Sequence, residues 1–162
     1  MTICTFAGHR ETWGYNIENQ ICAAIENILT TDSEFVFYSG DAGEFDEKCA
    51  AAVYSAKRKH PELNIKIIAV FPYMMNRINT NRDYYEKYFD NIIVPEELNG
   101  VHYKAAIGQR NRWFVDHCNY LIAYVYRDFG GAYTTLKYVI RQEKKIINLA
   151  DICNNSFASP IR

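Results

Sequence analysis

The sequence has almost no net charge, with 18 Lys and Arg against 19 Asp and Glu for a formal −1. It lacks the global basic excess of a general nucleic-acid binder, so a nucleic-acid partner is not expected beyond a local basic patch. It also lacks a long hydrophobic run. The strongest, Ile65 to Phe71, is interrupted by Lys66 and falls far short of the ~20 residues that a membrane-spanning helix needs, so no membrane partner is expected. The start, Met1-Thr2-Ile3-Cys4, has no basic n-region, apolar h-region or small-residue cleavage site, and the expectation is a cytoplasmic protein.

Cysteine is sparse and unpatterned. The five residues Cys4, Cys22, Cys49, Cys118 and Cys153 are odd in number and form no C-x-x-C pair, which argues against disulfide and zinc frameworks. Cys4, Cys22 and Cys49 fall in apolar patterns, where free cysteine serves as a small buried hydrophobe. His60, His102 and His117 show no ligand spacing, so neither a metal nor a cofactor is expected. Fixed-period repeats, low-complexity stretches and linkers are also missing, which leaves one domain over 1–150 and an irregular tail over 151–162.

What is present is alternation. Short apolar runs at Ile3 to Phe6, Glu34 to Tyr38, Ile65 to Phe71, Ile92 to Pro95, Tyr120 to Tyr126 and Lys145 to Leu149 read as strands. Between them lie segments of helical spacing: from Asn16 with Ile17, Ile21, Ile25 and Ile28, and from Cys49 through Ala56 to a basic last turn. Further helices are expected over Arg82 to Phe89, Tyr103 to Cys118 and Ala132 to Glu143. Strands that alternate with helices, each nearly continuous in apolar residues, imply an α/β, Rossmann-like three-layer sandwich with a mostly parallel sheet.

In such a sheet ligands bind beyond the carboxyl ends of the strands, which directs attention to the residues after each one. Gly8-His9-Arg10 places an imidazole and a fixed cation after the first strand, where a ligand phosphate or carboxylate could be met. The loop Ser39 to Asp46 carries Gly40, Gly43, Asp41, Glu44 and Asp46, with Glu47 next. Its acids suit a helix start, repel phosphate, and could bind ribose hydroxyls or act as a general base. Tyr73 follows the third strand and is placed to stack on a base. Gly130-Gly131-Ala132-Tyr133-Thr134-Thr135 opens a helix, where free N–H groups, close backbone approach and two hydroxyls could cradle a phosphate. The plain alternative is a glycine turn with a threonine cap. In Arg110-Asn111-Arg112-Trp113, Arg112 is expected to pair with Asp116 at i,i+4, leaving Arg110 the freer guanidinium for a ligand.

Taken in order, Cys4 to Arg10, Tyr38 to Asp46, Arg110 to Asp116, Leu121 to Ala123 and Gly130 to Thr134 resemble the SLOG superfamily of DprA/Smf and LOG proteins, in its YpsA-like branch. The resemblance implies a Rossmann-like domain that binds nucleotides or nucleotide-derived ligands such as ADP-ribose, and it carries the expectation of a homodimer. LOG phosphoribohydrolases have a PGG-x-GT-x-x-E motif with a catalytic glutamate. Here Phe129, Tyr133 and Lys137 stand at the proline, third-glycine and glutamate positions, while Gly130, Gly131 and Thr134 persist. Arg110 falls at the position of the LOG arginine.

The leading expectation is therefore a sensory or regulatory binder of an adenine-type nucleotide or ADP-ribose derivative, through Gly8, His9, Arg10, Gly40, Gly43, Asp46, Tyr73, Arg110, Asn111, Gly130, Gly131, Thr134 and Thr135. One alternative is a nucleotide N-glycosidase in which Asp46 or Glu47 replaces the missing glutamate. Another is single-stranded DNA binding as in DprA, using Lys57-Arg58-Lys59 and exposed tyrosines. A partner-binding scaffold is the fourth.

Overall fold

The computed structural model describes residues 1–12 and 16–150; the expected irregular tail and Cys153 lie outside them. The strands are β1 (Thr2–Gly8), β2 (Glu34–Ser39), β3 (Asn64–Val70), β4 (Asn91–Ile93), β5 (Tyr120–Tyr124) and β6 (Lys145–Asn148). The helices are α1 (Ile17–Leu29), α2 (Glu44–Lys59), the short α3 (Arg77–Thr80), α4 (Arg82–Tyr88), α5 (Tyr103–Asp116) and α6 (Gly131–Arg141). One sheet runs β4-β3-β2-β1-β5-β6, and every neighbouring pair is parallel. The fold is α/β and Rossmann-like, as the alternation implies.

The apolar runs are continuous because both faces of the central strands are covered. Cys4 and Phe6 of β1 join Ile122 of β5 and Ile21, Ile25 and Val53 of α1 and α2 on one side. Ala7, Leu121 and Ala123 pack with Val115 of α5 and Val139 of α6 on the other. Helix α1 buries Ile17, Ile21, Ala24, Ile25 and Ile28, a stripe at helical spacing. Cys22 is exposed, contrary to the expectation, because one residue past Ile21 turns ~100° off that stripe. Cys4 and Cys49 are buried.

Two expected surface features resolve differently. The basic end of α2 is tied down: Lys57 Nζ donates to both Asp90 carboxylate oxygens at 2.7 Å, Lys59 pairs with Glu26 at 3.5 Å, and His60 meets Glu26 at 2.9 Å. The Arg112–Asp116 pair is not formed. Asp116 accepts the Tyr138 hydroxyl at 2.8 Å and Arg112 lies over the Tyr138 ring, since α6 offers both a partner across the α5–α6 contact. Among the described residues no helix is long and apolar enough to cross a membrane.

The chain lays β1 to β4 in one direction and then returns to place β5 on the other side of β1. That reversal opens a crevice beyond the carboxyl ends of β1 and β5, where parallel sheets bind ligands.

Candidate functional site

A cavity of about 450 Å³ occupies this crevice, within the usual range for small-ligand sites. Four separate stretches line it: Gly8, His9, Arg10 and Glu11 after β1; Gly40, Ala42 and Asp46 between β2 and α2; Ile107, Arg110 and Asn111 on α5; and Arg127, Gly130, Gly131, Ala132 and Thr135 at the start of α6.

His9 is the joint between two of these stretches. Its backbone N–H donates to the Tyr124 carbonyl at 3.2 Å, and its Nε2 accepts from the Tyr126 and Arg127 amides, each at 3.2 Å. Two incoming donors require a lone pair on Nε2, so the ring is neutral with its proton on Nδ1. Burial, with the Arg127 charge adding to it, holds His9 below the usual imidazole range. The histidine thereby fixes the turn carrying Arg127, whose guanidinium lies between the Tyr126 and Phe129 rings.

Arg110 departs from its expected role as a free guanidinium. It is 5% exposed; Nη1 donates to the Gly40 carbonyl at 3.2 Å and to the Val70 carbonyl at 3.0 Å, and Nε donates to Asn111 Oδ1 at 3.1 Å. It straps the ends of β2 and β3 together, partners far away in sequence and so invisible to a search for acids at i+3 or i+4. Gly40 lets it lie there, since a Cβ would stand 3.1 Å from Cζ. Burial lowers the Arg110 pKa, and Asp46 acts in the opposite direction.

Asp46 occupies the third position of α2 and reaches back, Oδ2 accepting the Ala42 N–H at 2.9 Å. The helix start thus binds its own carboxylate. The side chain is enclosed, and burial pushes its pKa up to about 6 against the pull of Ala42 N–H and Arg110. Beside it, Asp41 sits in the left-handed region at φ 48 and accepts the Tyr85 and Tyr84 hydroxyls, with Arg77 at 4.0 Å. These contacts fasten the loop to α4 and keep Asp41 off the cavity wall.

At α6 the first amide bonded inside the helix is that of Thr134, to the Gly130 carbonyl at 3.0 Å. The preceding amides have no partner of their own helix, and nothing lies within 4 Å of a Cβ built on Gly130 or Gly131. Both threonine hydroxyls turn inward: Thr134 donates to Gly130 O at 3.1 Å and Thr135 to Gly131 O at 2.9 Å. They therefore do not present their protons to the cavity as expected.

Of the residues singled out in the sequence, Gly8, His9, Arg10, Gly40, Asp46, Arg110, Asn111, Gly130, Gly131 and Thr135 converge on the cavity. Tyr73, Thr134, Gly43 and Glu47 are not in its wall. Gly43, at φ 104, instead lets α2 approach Arg10, whose Cα would be 2.9 Å from a Cβ there. Glu47 is solvent-exposed, so of these two acids Asp46 lines the cavity, together with Glu11 from the β1 end. Lys137, at the glutamate position of the LOG motif, lies over the Tyr133 ring. Sequence reasoning missed Arg127 and Glu11, although both lie within three residues of a strand end.

No protein-family model matches the chain, and no curated protein does. Solved structures that share its fold include two DNA processing proteins. DNA processing protein A (DprA) from Streptococcus pneumoniae is 17% identical, with a TM-score of 0.57 over 90% of this chain and 49% of that one. DprA from Helicobacter pylori, described for its single-stranded DNA binding mode, is 16% identical, with a TM-score of 0.59 over 90% of this chain and 63% of that one. The chain thus spans about half to two thirds of the length of these neighbours. The comparison also corrects the expectation against a nucleic-acid partner: the H. pylori protein, which shares this fold, is described for its binding of single-stranded DNA. Net charge averages over the whole chain, whereas Arg10, Arg110 and Arg127 gather at one sheet edge. The chain has the fold of these DprA structures.

Proposed function

We propose that this chain binds single-stranded DNA through the crevice between β1 and β5, with strand phosphates at the α6 start. The observation that carries the reading is the pairing of unbonded amides and open glycines at Gly130–Gly131 with exposed Arg10 and Arg127 in one cavity. The shared fold with a DprA described for binding single-stranded DNA supports the same ligand class. The basic end of α2 is left out of the interface, because Lys57 and Lys59 are already paired.

A free nucleotide is the second reading. It is favoured by the cavity's size, which suits a mononucleotide, and by Asp46 in its wall, an acceptor that a bare phosphodiester backbone does not require.

Fluorescence anisotropy of a labelled oligo-dT strand tests the proposal. Gly131→Ala puts a methyl group where nothing protein-borne lies within 4 Å, so it should leave the melting temperature unchanged while weakening strand binding tenfold or more. Retention of full affinity in this variant would sink the assignment of the phosphates to α6. The affinity should also fall with salt, with a log–log slope of about −0.7 for each phosphate neutralised.

A further inference from the structure

Helix α6 leaves the crevice with an outer face that carries cations and no acid. From Gly131 to Arg141 it holds Lys137 and Arg141 but neither Asp nor Glu, whereas α2 opens on Glu44, Asp46 and Glu47. At about 100° per residue, Tyr133, Lys137 and Arg141 follow one another within ~80° of arc, with Tyr138 beside them and the buried Thr135 and Val139 on the opposite side. Each cation lies over an aromatic ring: Lys137 Nζ is 5.4 Å from the centre of Tyr133, and Tyr138 has Arg141 Cζ at 5.7 Å and Arg112 Cζ, from α5, at 5.5 Å. The Tyr138 ring is itself held, since its hydroxyl donates to Asp116 at 2.8 Å. Arg112, Lys137 and Arg141 are exposed, and among the described residues none of them forms an ion pair, in contrast to Lys48, Lys57 and Lys59 in the opposite helical layer.

Resting on the proposed reading of the crevice, with a strand phosphate at the α6 start, we infer that a single strand leaving the crevice follows the outer face of α6, where Lys137, Arg141 and Arg112 meet its next phosphates. From Gly131 to Arg141 the helix advances about 15 Å, the length of roughly four stacked nucleotides at ~3.4 Å each. The three cations have no carboxylate to satisfy them, so a polyanion is the partner their charge complements. A ring face attracts a cation placed over it and narrows the range of positions the long side chain visits, which lowers the entropy lost when a phosphate engages it. With their faces occupied by cations, Tyr133 and Tyr138 serve as supports, and the track grips the backbone without reading sequence. Strands long enough to reach α6 should therefore bind more tightly, and with a steeper salt dependence, than strands confined to the crevice.

Fluorescence anisotropy of the whole chain with labelled dT12, together with competition by pTpT, which is too short to run the length of α6, provides the test. The double variant Lys137→Gln, Arg141→Gln keeps much of each stem over its ring. It should melt within a few degrees of wild type, bind dT12 at least fivefold more weakly at low salt, and show a log–log salt slope shallower by about 1.4, two phosphates at about 0.7 each, with the pTpT affinity unchanged within twofold. Arg58→Gln, Lys87→Gln removes two cations that are likewise exposed and laid over tyrosine rings, but on the α2–α4 side, and should leave dT12 binding within twofold of wild type. An unchanged dT12 affinity and slope in the α6 variant, or an equal loss in the α2–α4 variant, would overturn the track alone. So would a loss of pTpT affinity as large as that of dT12, since the two cations would then act on the crevice. Failure of the wild type to bind either strand would overturn the track together with the reading on which it rests.

Discussion

Asp46→Asn should stabilise the protein at neutral pH. The substitution preserves the shape of the side chain and an oxygen for the Ala42 amide, and removes a charge whose burial is costly. The folded state raises the carboxyl from 3.8 to about 6, and attraction to Arg110 is already included in that net rise. At 1.36 kcal/mol per unit the difference is on the order of 3 kcal/mol. The sign follows from proton linkage: between these two values the folded state holds the proton more firmly than the unfolded chain, so stability falls as pH rises through the interval and the full penalty persists above it. The Asn variant escapes this loss. Urea denaturation at pH 7.5 should therefore show it more stable by roughly 2 to 3 kcal/mol, about 5 to 10 °C in melting temperature for a chain of this length. At pH 4 the advantage should largely vanish, since the wild-type group is then protonated when folded. A variant no more stable than wild type at pH 7.5, or one with the same advantage at both pH values, would refute the reasoning. A buried carboxylate kept in the cavity wall at a cost in stability is the pattern expected of a side chain retained for binding.

Other perturbations test the supports of the crevice. Gly8→Ala would drive a Cβ to 2.3 Å from the Phe45 ring, and chemical denaturation should register a loss of about 1 to 3 kcal/mol. Arg110→Met leaves the Gly40 and Val70 carbonyls without their donor and Asp46 without a nearby cation; a loss of about 2 to 4 kcal/mol is expected, and a neutral result would show that the strap is dispensable. His9 has a lowered pKa when folded, so its contribution is complete above the ordinary value of 6.5 and is lost as pH falls through the folded value. Amide exchange at Tyr126 and Arg127, corrected for intrinsic rates, should accelerate on acidification over that range, and His9→Ala should show the fast rate at every pH.

The strand and helix order was legible because the central strands are mostly apolar on both faces and each long helix has one apolar stripe. Tyr120 to Tyr124 between α5 and α6 is the clearest case. The positions that converge on the crevice were legible for a topological reason: residues after parallel strands share one edge, which brought His9, Gly40 and Gly130 onto the same short list. Roles were harder to read. Arg110 finds its partners 40 and 70 positions away, at Val70 and Gly40, and no local pattern encodes that. The threonine hydroxyls turn back to i−4 carbonyls of their own helix, a choice that depends on side-chain rotamer. Cys22 failed on a single step of helical phase.

The way the crevice is assembled has a consequence for folding. Its walls come from Gly8 to Glu11, Gly40 to Asp46, Ile107 to Asn111 and Arg127 to Thr135, and β5 must cross behind three strands before it can pair with β1. Such non-local pairing closes late and slowly. No partly folded chain that lacks the β1–β5 pairing has a site, so a ligand cannot template the early steps and can only hold the finished sheet closed. Bound ligand should then slow hydrogen exchange in β1 and β5 by as much as it raises global stability, whereas α1 opening by local fraying should remain indifferent to it.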